Sequence, residues 1–404
     1  MSGRGVSLCS PFSRRKTRFK SNTLGQFVAM LAATFMSSVV SNANSQMVFA
    51  NDSGNINSST VTGLSMDGRF SSGSGQQSGV PIWAFRLDRL QGTRYDFTRT
   101  SENFGASAYG ISGDGNWCVG TYQGPPLSNV FQAYRWSEPT GLQFLGNIGR
   151  NTNAAARRAS HDGSVVAGEA FRIIGGRSVH TAFRWTEAGG MVALPFLPNT
   201  DDSYVYGLSA DGNVVVGTGF GGLGFGWRWT AETGTVLLPG SSFAPWSQGE
   251  GLSADGRYAV GLVAGPNDTA LSARWLGTAG PQILPNATGF TGSGATAVSG
   301  DGSVVGGGMY GNPADLGRFA YVWTETTGML KLTDYLTLFG VTAPTNFHFQ
   351  DVNAISADGL TFAGSGIDSL GRTQGWIAHV PSPGTAVVFG MFALALYRRR
   401  RTTV

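Results

Sequence analysis

The stretch "GLSADGNVVVG" at residues 207–217 reads as a short strand, a tight turn and a second strand. Asp-Gly is typical of a two-residue hairpin turn because both residues tolerate positive φ. The pattern recurs as "GISGDGNWCVG" from residue 110, "RASHDGSVVAG" from 158, "GLSADGRYAVG" from 251 and "AVSGDGSVVGG" from 297. The serine two residues before the aspartate is placed to hydrogen-bond into the turn and hold it.

Seven copies of this unit follow one another along the chain. Their turn aspartates, which we predict to be structural turn residues, are Asp67, Asp114, Asp162, Asp211, Asp255, Asp301 and Asp358. The intervals between them run from 44 to 57 residues. Periods of this size indicate a propeller or a solenoid.

A second landmark follows most of the turns, in forms such as "AYRW" from residue 133, "AFRW" from 182 and "GWRW" from 226. After several of these come another turn and a further apolar strand, as in "TEAGGMVAL" at 186–194. Each copy therefore holds four short strands, which is the signature of a propeller blade. The predicted fold is all-β, a seven-bladed β-propeller of four-stranded blades.

The last copy ends after its third strand, so one strand is missing there. The stretch "MVFA" at 47–50 precedes the first copy in the register of a fourth strand. We expect this N-terminal strand of the mature chain to complete the last blade, which closes the ring and leaves no open edge.

Composition limits the class of protein. The chain has 404 residues, of which 13% are charged and 61 are glycine, as in a β-rich extracellular protein with many turns. The net charge of +4 comes from basic residues at the two ends. The middle is mildly acidic, so we expect no nucleic-acid binding.

The N-terminal end has the layout of a secretory signal. A basic segment is followed by the apolar stretch Phe27–Val40 and by small residues, with Ala43 or Ser45 as the last residue removed. We assign 1–45 to a signal peptide, 46–380 to the propeller and 381–404 to a C-terminal signal. Cleavage would remove Cys9 and leave Cys118 alone, without an internal disulfide.

These repeats resemble the extracellular HAF-repeat proteins, named for the "AF.W" strand that follows an "S.DG..VVG" unit. The resemblance covers roughly residues 60–380 and is clearest over 332–381. The tail "VPSPGTAVVFGMFALALYRRRR" is similar to a PEP-CTERM sorting signal, although Ser382 replaces the family's glutamate. The positions carried over are Val380, Pro381, Pro383, Arg398, Arg399, Arg400 and Arg401.

The resemblance implies processing of the tail by exosortase, a membrane protease, and display on the cell surface. The apolar stretch Ala386–Tyr397 would form a helix of about 18 Å, against a hydrocarbon core of about 30 Å. A transient membrane insertion during sorting is therefore favoured over a permanent anchor.

Motifs for chemistry are scarce. "GTGFGG" at 217–222 runs directly into a strand, without the helix that a nucleotide-binding loop needs. The four histidines show no metal-like spacing, and paired carboxylates are rare. We expect no cofactor, no metal and no catalytic residue.

Long connections collect on one face of the predicted propeller, while the other face keeps the tight turns. The long segments include 122–132, 171–181, 196–206 and 338–351, and we call their side the loop-rich face. The candidate binding residues there are Arg177, Tyr204, Tyr206, Trp246, Phe347 and Phe349.

The leading function is therefore a non-catalytic surface or matrix protein that binds polysaccharide or other proteins through variable loops on a rigid scaffold. The alternative is a propeller-type glycan hydrolase or lyase, which needs a cluster of carboxylates or histidines at the channel mouth. A third reading is a periplasmic assembly scaffold with a retained anchor.

Overall fold

The computed structural model describes residues 47–50, 56–98, 105–124, 130–149, 153–311 and 317–382. Within these ranges, 28 strands form seven antiparallel sheets of four strands each. The first strands of neighbouring sheets contact one another around a ring that returns from the seventh sheet to the first. The chain is a seven-bladed β-propeller, as the repeat predicted.

The blades follow chain order, and each is named here by its strands. Blade 1 holds β2 (Ser58–Leu64), β3 (Phe70–Gln77), β4 (Val80–Asp88) and β5 (Thr93–Asp96), and blade 2 holds β6 (Gly105–Ile111), β7 (Cys118–Gln123), β8 (Phe131–Ser137) and β9 (Gly141–Phe144). Blade 3 holds β10 (Asn153–Ala159), β11 (Val165–Ile174), β12 (Arg177–Thr186) and β13 (Gly190–Ala193), and blade 4 holds β14 (Asp202–Leu208), β15 (Val214–Phe220), β16 (Gly224–Thr230) and β17 (Gly234–Leu237). Blade 5 holds β18 (Ser247–Leu252), β19 (Tyr258–Ala264), β20 (Ala270–Leu276) and β21 (Gln282–Ile283). Blade 6 holds β22 (Gly292–Val298), β23 (Val304–Tyr310), β24 (Phe319–Thr324) and β25 (Gly328–Lys331), and blade 7 holds β26 (Phe347–Ile355), β27 (Thr361–Asp368), β28 (Thr373–His379) and β1 (Met47–Phe49).

The ring closes on the N-terminal strand. β1 pairs antiparallel with β28, with Val48 opposite Ile377 and Phe49 opposite Trp376. Phe49 also meets the edge of the Phe347 ring at a centroid distance of 4.9 Å. This pairing completes blade 7 with a fourth strand, which confirms the predicted closure.

The repeated turn is held by its serine and aspartate. In each copy the serine hydroxyl donates to the aspartate Oδ1, as Ser209 does to Asp211 at 2.5 Å. The same carboxylate oxygen accepts the N–H two residues later at 3.0 Å in all seven turns. The serine Oγ in turn accepts the amide five residues later at 2.9–3.0 Å.

This network makes the turn longer than the two-residue hairpin that Asp-Gly predicted. The Ser209 carbonyl accepts the N–H of Gly212, and the Ser209 N–H donates to the Val214 carbonyl, so four residues lie between the closing pair. Because its carbonyl is already used, the serine offers its side-chain oxygen to the Val214 amide instead. A serine is therefore needed at this position of the turn. The seven turn serines are buried, with 0–1% of their surface exposed.

Neighbouring blades are joined at these turns by the backbone itself. The Met66 N–H donates to Gly113 of the next blade, and such links recur around the ring until Ala357 of blade 7 donates back to Met66. Arginines add a second layer of links. The side chains of Arg86, Arg135, Arg184, Arg228 and Arg274 each donate to the turn-glycine carbonyl of the following blade at 2.6–3.3 Å. These arginines are inter-blade structural contacts.

The hydrophobic core lies between blades. Phe183 and Trp185 of β12 pack in one cluster with Val119 and Ala133 of blade 2, and equivalent clusters recur around the ring. This confirms that the two aromatic positions of the "AFRW" strand share a face toward the neighbouring blade.

Two helical segments were not predicted. Helix α1 (Leu332–Leu338) follows β25, with Leu332, Tyr335 and Leu336 buried in the core between blades 6 and 7. A 3₁₀ turn, Pro266–Asp268, links β19 to β20. No helix in the described ranges is both long and apolar enough to cross a bilayer.

Candidate functional site

The innermost strand of every blade carries a β-bulge at the same place in the repeat. In β14, for example, the register skips Tyr206 between Val205 and Gly207. A bulge leaves one residue unpaired, bends the strand and re-aims its side chain. The seven bulged residues are Thr62, Tyr109, Arg157, Tyr206, Glu250, Thr296 and Asn353.

All seven bulged side chains line one cavity of about 260 Å³ on the axis of the ring, together with Arg158 and Val205. The innermost strands enter the ring from the long connections, so this cavity opens toward the loop-rich face. We call it the channel mouth. Below it the channel continues through two narrower sections of about 140 Å³ each, and Arg158 lines all three sections.

Small residues follow the bulge in six of the seven blades. A Cβ at Gly110 would stand 2.5 Å from the Arg157 carbonyl oxygen, and one at Gly251 would stand 2.7 Å from the Thr296 carbonyl oxygen. At these glycine positions the neighbouring strands approach too closely for a side chain. Blade 3 breaks this rule, because Arg158 occupies the position that the other blades give to glycine or alanine.

Several bulged side chains are committed to neighbouring backbone. Thr62 donates to the Ala108 carbonyl at 2.8 Å, Thr296 to the Val352 carbonyl at 2.6 Å, and Asn353 to the Val61 carbonyl at 2.9 Å. Each of these bonds joins one blade to the next, so these three residues stabilise the ring as well as lining it.

Arg157 is neutralised inside the protein. It forms an ion pair with Glu169, which is 1% exposed, and its guanidinium carbon lies 4.3 Å from the centroid of the Tyr109 ring. Burial raises the pKa of the Glu169 carboxyl, although the Arg157 charge opposes that effect. The pair therefore adds little net charge to the channel mouth.

Arg158, Tyr206 and Glu250 have polar atoms left for a ligand. Arg158 uses only Nη1, which donates to the carbonyls of Tyr109 at 3.1 Å and Arg157 at 3.0 Å. Burial, and then the Arg157 charge, lower the pKa of Arg158 to about 10, so it stays cationic at neutral pH.

Burial also raises the pKa values of Glu250 and Tyr206. Burial raises the pKa of the Glu250 carboxyl against the opposing charges of Arg158 and Arg318. Burial and the Glu250 charge raise the pKa of the Tyr206 hydroxyl, which stays neutral and is able to donate. The channel mouth thus presents one cation, one carboxylate and a phenol around a polar opening.

The far end of the channel is narrow. Met66 and His161 meet there, with the His161 Nδ1 3.3 Å from the Met66 Sδ. A Cβ at Gly113 of the blade between them would press on both side chains, at 2.5 Å from His161 Nδ1 and 2.7 Å from Met66 Sδ. Apart from Arg158, the remaining wall is formed by leucine, isoleucine, valine, alanine and glycine, so most of the polar groups are at the channel mouth.

Of the predicted binding residues, only Tyr206 lines the channel. Arg177 is exposed at the tip of blade 3, where it is ion-paired with Asp201 at 2.9 Å and Asp202 at 3.4 Å. Trp246 is half-buried just before β18.

Tyr204 belongs to a row of aromatic rings across blades 2 to 4. Its ring stacks on His180 at 4.4 Å, and His180 stacks on Phe171 at 4.9 Å. The Tyr204 ring also meets the Phe220 ring at 5.7 Å in a T-shaped contact. One face of Tyr204 is therefore covered by His180, and the row packs blades 3 and 4 against each other.

Phe347 and Phe349 require a correction, since the sequence placed them on the binding face. They are 9% and 4% exposed and lie in the core of blade 7, where Phe349 meets the edge of the Trp376 ring at 5.2 Å. The segment around them is the paired strand β26 and not a loop, so we leave them out of the candidate surface.

The sorting-motif residues lie at the edge of the described part. Val380 is fully buried, and its N–H donates to the Leu360 carbonyl at 2.8 Å, so the chain leaves the propeller at Pro381. Residues 1–46, which include the segment predicted as a signal peptide (1–45), and the tail from Pro383 through Arg398, Arg399, Arg400 and Arg401 lie outside the described residues.

Metal binding and thiol reactivity both depend on histidine, cysteine and carboxylate side chains. The described residues contain no group of three or more histidine, cysteine or carboxylate side chains placed to hold a metal ion. Cys118 is buried, and that burial raises the pKa of its thiol to about 12, which keeps it protonated.

One feature of the sequence indicates the channel. Aligning the seven units shows Arg158 where other copies have glycine or alanine, and a large cation at a small-residue position indicates a local purpose. The bulges left no such signal, because the residue before the conserved small position varies freely from copy to copy.

Comparisons with solved structures identify propellers. The chain has a TM-score of 0.53 with an oligogalacturonate lyase from Vibrio parahaemolyticus, at 12% identity over 84% of this chain and 92% of that one. It has a TM-score of 0.55 with a prolyl endopeptidase, at 9% identity over 90% of this chain and 56% of that one. TolB from Acinetobacter baumannii gives 0.39 at 18% identity, covering 55% of this chain and about half (52%) of TolB.

No protein-family model matches the chain, and no curated protein matches its sequence. At these identities the structural likeness shows the fold alone. The two likenesses with a TM-score above 0.5 show that the chain shares the propeller architecture of the oligogalacturonate lyase and the prolyl endopeptidase.

Proposed function

We propose that this chain is an exported, non-catalytic propeller of the HAF-repeat type that binds polysaccharide through its channel mouth and the surrounding loop-rich face. The observation that carries the proposal is the ring of bulged residues. Seven repeats that agree in their turns carry five different residue types at this inner position, and all seven bulged side chains bear a hydroxyl, amide or charged group. Variable side chains on a rigid repeated frame are a common way to build a binding surface.

A polysaccharide suits the groups that converge there. Hydroxyls, an amide, a guanidinium and a carboxylate can each hydrogen-bond with sugar hydroxyl groups, and the tyrosine rings add apolar area. The channel mouth has one carboxylate among its described lining residues, Glu250, so a pair of carboxylates for general acid–base cleavage is missing from that set.

Binding is tested with a glycan array and with affinity electrophoresis in polysaccharide gels. We expect the double variant Tyr206→Ala/Glu250→Ala to bind at least tenfold more weakly than the parent. The matched control Asn213→Ala, whose side chain lies at the tight turn of blade 4, should bind normally. Equal losses in both variants, or no glycan bound by the parent, would contradict the proposal.

The same glycans test the alternative function, a glycan hydrolase or lyase. Glycans that bind are incubated with the protein, and the products are analysed by mass spectrometry. Shortened or unsaturated products that disappear in Glu250→Gln would replace the binding proposal with an enzymatic one.

We also propose export through the signal at 1–45, surface display and processing of the tail by an exosortase-like protease after transient membrane insertion. The buried Val380 supports cleavage beyond the propeller, because the chain becomes accessible only from Pro381. Mass spectrometry of the mature termini tests this. A secreted protein that retains Arg398, Arg399, Arg400 and Arg401 would refute processing.

A further inference from the structure

Arg158 is held in place by one nitrogen and leaves the rest of its guanidinium to the channel. Its Nη1 makes both of its hydrogen bonds, to the carbonyls of Tyr109 and Arg157. Among the described residues no carboxylate forms an ion pair with it, although the other channel arginine, Arg157, has Glu169. A partly buried cation with a free edge is suited to a planar anion, which a guanidinium binds through two parallel bonds.

Glu250 lies within electrostatic reach of Arg158 but does not pair with it. The Arg158 charge lowers the pKa of the Glu250 carboxyl, yet no ion pair joins the two in the part of the chain described. Both groups line the same cavity of about 260 Å³, so the space between them is open to a ligand.

These two charges restrict the ligand. An ionised Glu250 repels a simple anion such as sulfate, and Arg158 repels a cation. A neutral sugar would leave Arg158 desolvated without a charged partner, and unpaired buried groups are costly. A ligand with a carboxylate at one side and hydroxyl donors at the other satisfies both groups.

We infer that the channel mouth binds a terminal uronic acid residue, with its carboxylate on Arg158 and its hydroxyl groups toward Glu250 and Tyr206. This rests on the proposed function and adds to it the class of sugar recognised. The cavity is smaller than the roughly 300–1,000 Å³ of pockets for drug-sized ligands, so it takes one small ring and not a length of polymer.

The test is calorimetric titration of the purified protein with glucuronate and galacturonate, each compared with glucose, galactose and the uronate methyl ester. We expect each uronate to bind at least tenfold more tightly than its neutral counterparts, since hydrogen bonds to charged groups are the strong ones. Arg158→Met should remove this difference, and Arg158→Lys should restore part of it.

Control variants separate the role in binding from a role in folding. Arg257→Met removes an exposed arginine of the tight-turn end whose guanidinium lies over the Tyr258 ring, and should bind uronates normally. Tyr206→Phe keeps the ring and loses one hydroxyl, so it should fold normally and bind several-fold more weakly. Glu250→Gln should bind sulfate more tightly than the parent does.

Three results would overturn the inference: equal affinity for glucuronate and glucose, unchanged uronate binding in Arg158→Met, or sulfate competing as well as glucuronate in the parent protein. Polysaccharide binding that persists in Arg158→Met would keep the proposed function and refute the uronate site. Uronate binding without any polysaccharide bound would keep the uronate site and refute the proposed function.

Discussion

The two ends of this propeller are built from the same seven repeats and follow different rules. At the tight-turn end every copy keeps the serine, the aspartate and the glycine, and the hydrogen bonds agree to within a few tenths of an ångström. At the channel mouth every copy keeps the bulge in the backbone, but the bulged residue varies among threonine, tyrosine, arginine, glutamate and asparagine. Identity between copies therefore marks what the ring needs, whereas the variation is concentrated where the proposed ligand would bind.

The largest effect is expected where the tight-turn end is packed against its neighbour. Gly302 has φ +79°, and a Cβ there would overlap the Tyr258 ring. Gly302→Ala should lower the free energy of unfolding by about 2–5 kcal/mol, the sum of backbone strain and overpacking. Urea denaturation measures this loss.

Gly277→Ala is the matched control, because Gly277 has φ +60° and open space around its Cβ position. It should lose only the strain, about 1–2 kcal/mol. Equal losses in the two variants would show that the turns do not pack as described.

The second prediction concerns the equivalence of the turns. Ser209→Ala and Ser253→Ala each leave a turn amide without its acceptor and should each cost about 1–3 kcal/mol. The two values should agree to about 0.5 kcal/mol, while exposed Ser242→Ala should stay within about 0.5 kcal/mol of the parent. Clearly unequal losses at Ser209 and Ser253 would break the symmetry claimed for this end.

A third, smaller effect depends on pH. The Ser164 amide and hydroxyl, together with Ser160, lower the pKa of Asp162 from 3.8 to about 2. Because the folded pKa is depressed, the stability it contributes is present above about pH 4 and is lost as the pH falls toward 2. The unfolding free energy of Asp162→Asn should therefore decline less than that of the parent over this window, and parallel declines would contradict the role of the carboxylate.

The smallest effect on stability is expected at the channel mouth. Arg158→Gly restores the residue of four other copies, and the two lost hydrogen bonds are offset by removing a desolvated charge, whose pKa is lowered to about 10. We expect a change within about 1 kcal/mol. In contrast, Gly251→Ala should lower the free energy of unfolding by more than Arg158→Gly does, because its Cβ would stand 2.7 Å from the Thr296 carbonyl oxygen. A strongly destabilised Arg158→Gly would make Arg158 a structural residue.

The fold was predictable because its determinants are local and repeated. Period, turn residues and the "AFRW" strand each point to a four-stranded blade, and the register of "MVFA" predicted that this strand completes the last blade, where Val48 lies opposite Ile377. The turn length was not predictable from Asp-Gly alone, because a side-chain oxygen of Ser209 replaces a backbone acceptor. Helix α1 was missed because it is only two turns long. Its apolar face is too short to be distinguished from the end of a strand by sequence pattern.

The site was less predictable, for a physical reason. Aromatic residues in long connections suggested a surface, but Phe349 is in a paired strand and Tyr204 is stacked on a neighbour. Which side chains reach the axis depends on the bulges, and a bulge needs the partner strand to define it. Only Arg158, by departing from the repeat, could be recognised without coordinates.

The place where the chain leaves blade 7 determines what the protein shows to its surroundings. β28 runs from the loop-rich face and ends beside Leu360, just after the Asp358 turn, so Pro381 departs from the tight-turn end. Met47 pairs with Ala378, so the described chain enters the propeller at that end too. Were the segment after Pro381 held at a membrane, as the proposed sorting requires, the tight-turn end would face the cell and the channel mouth would point away from it.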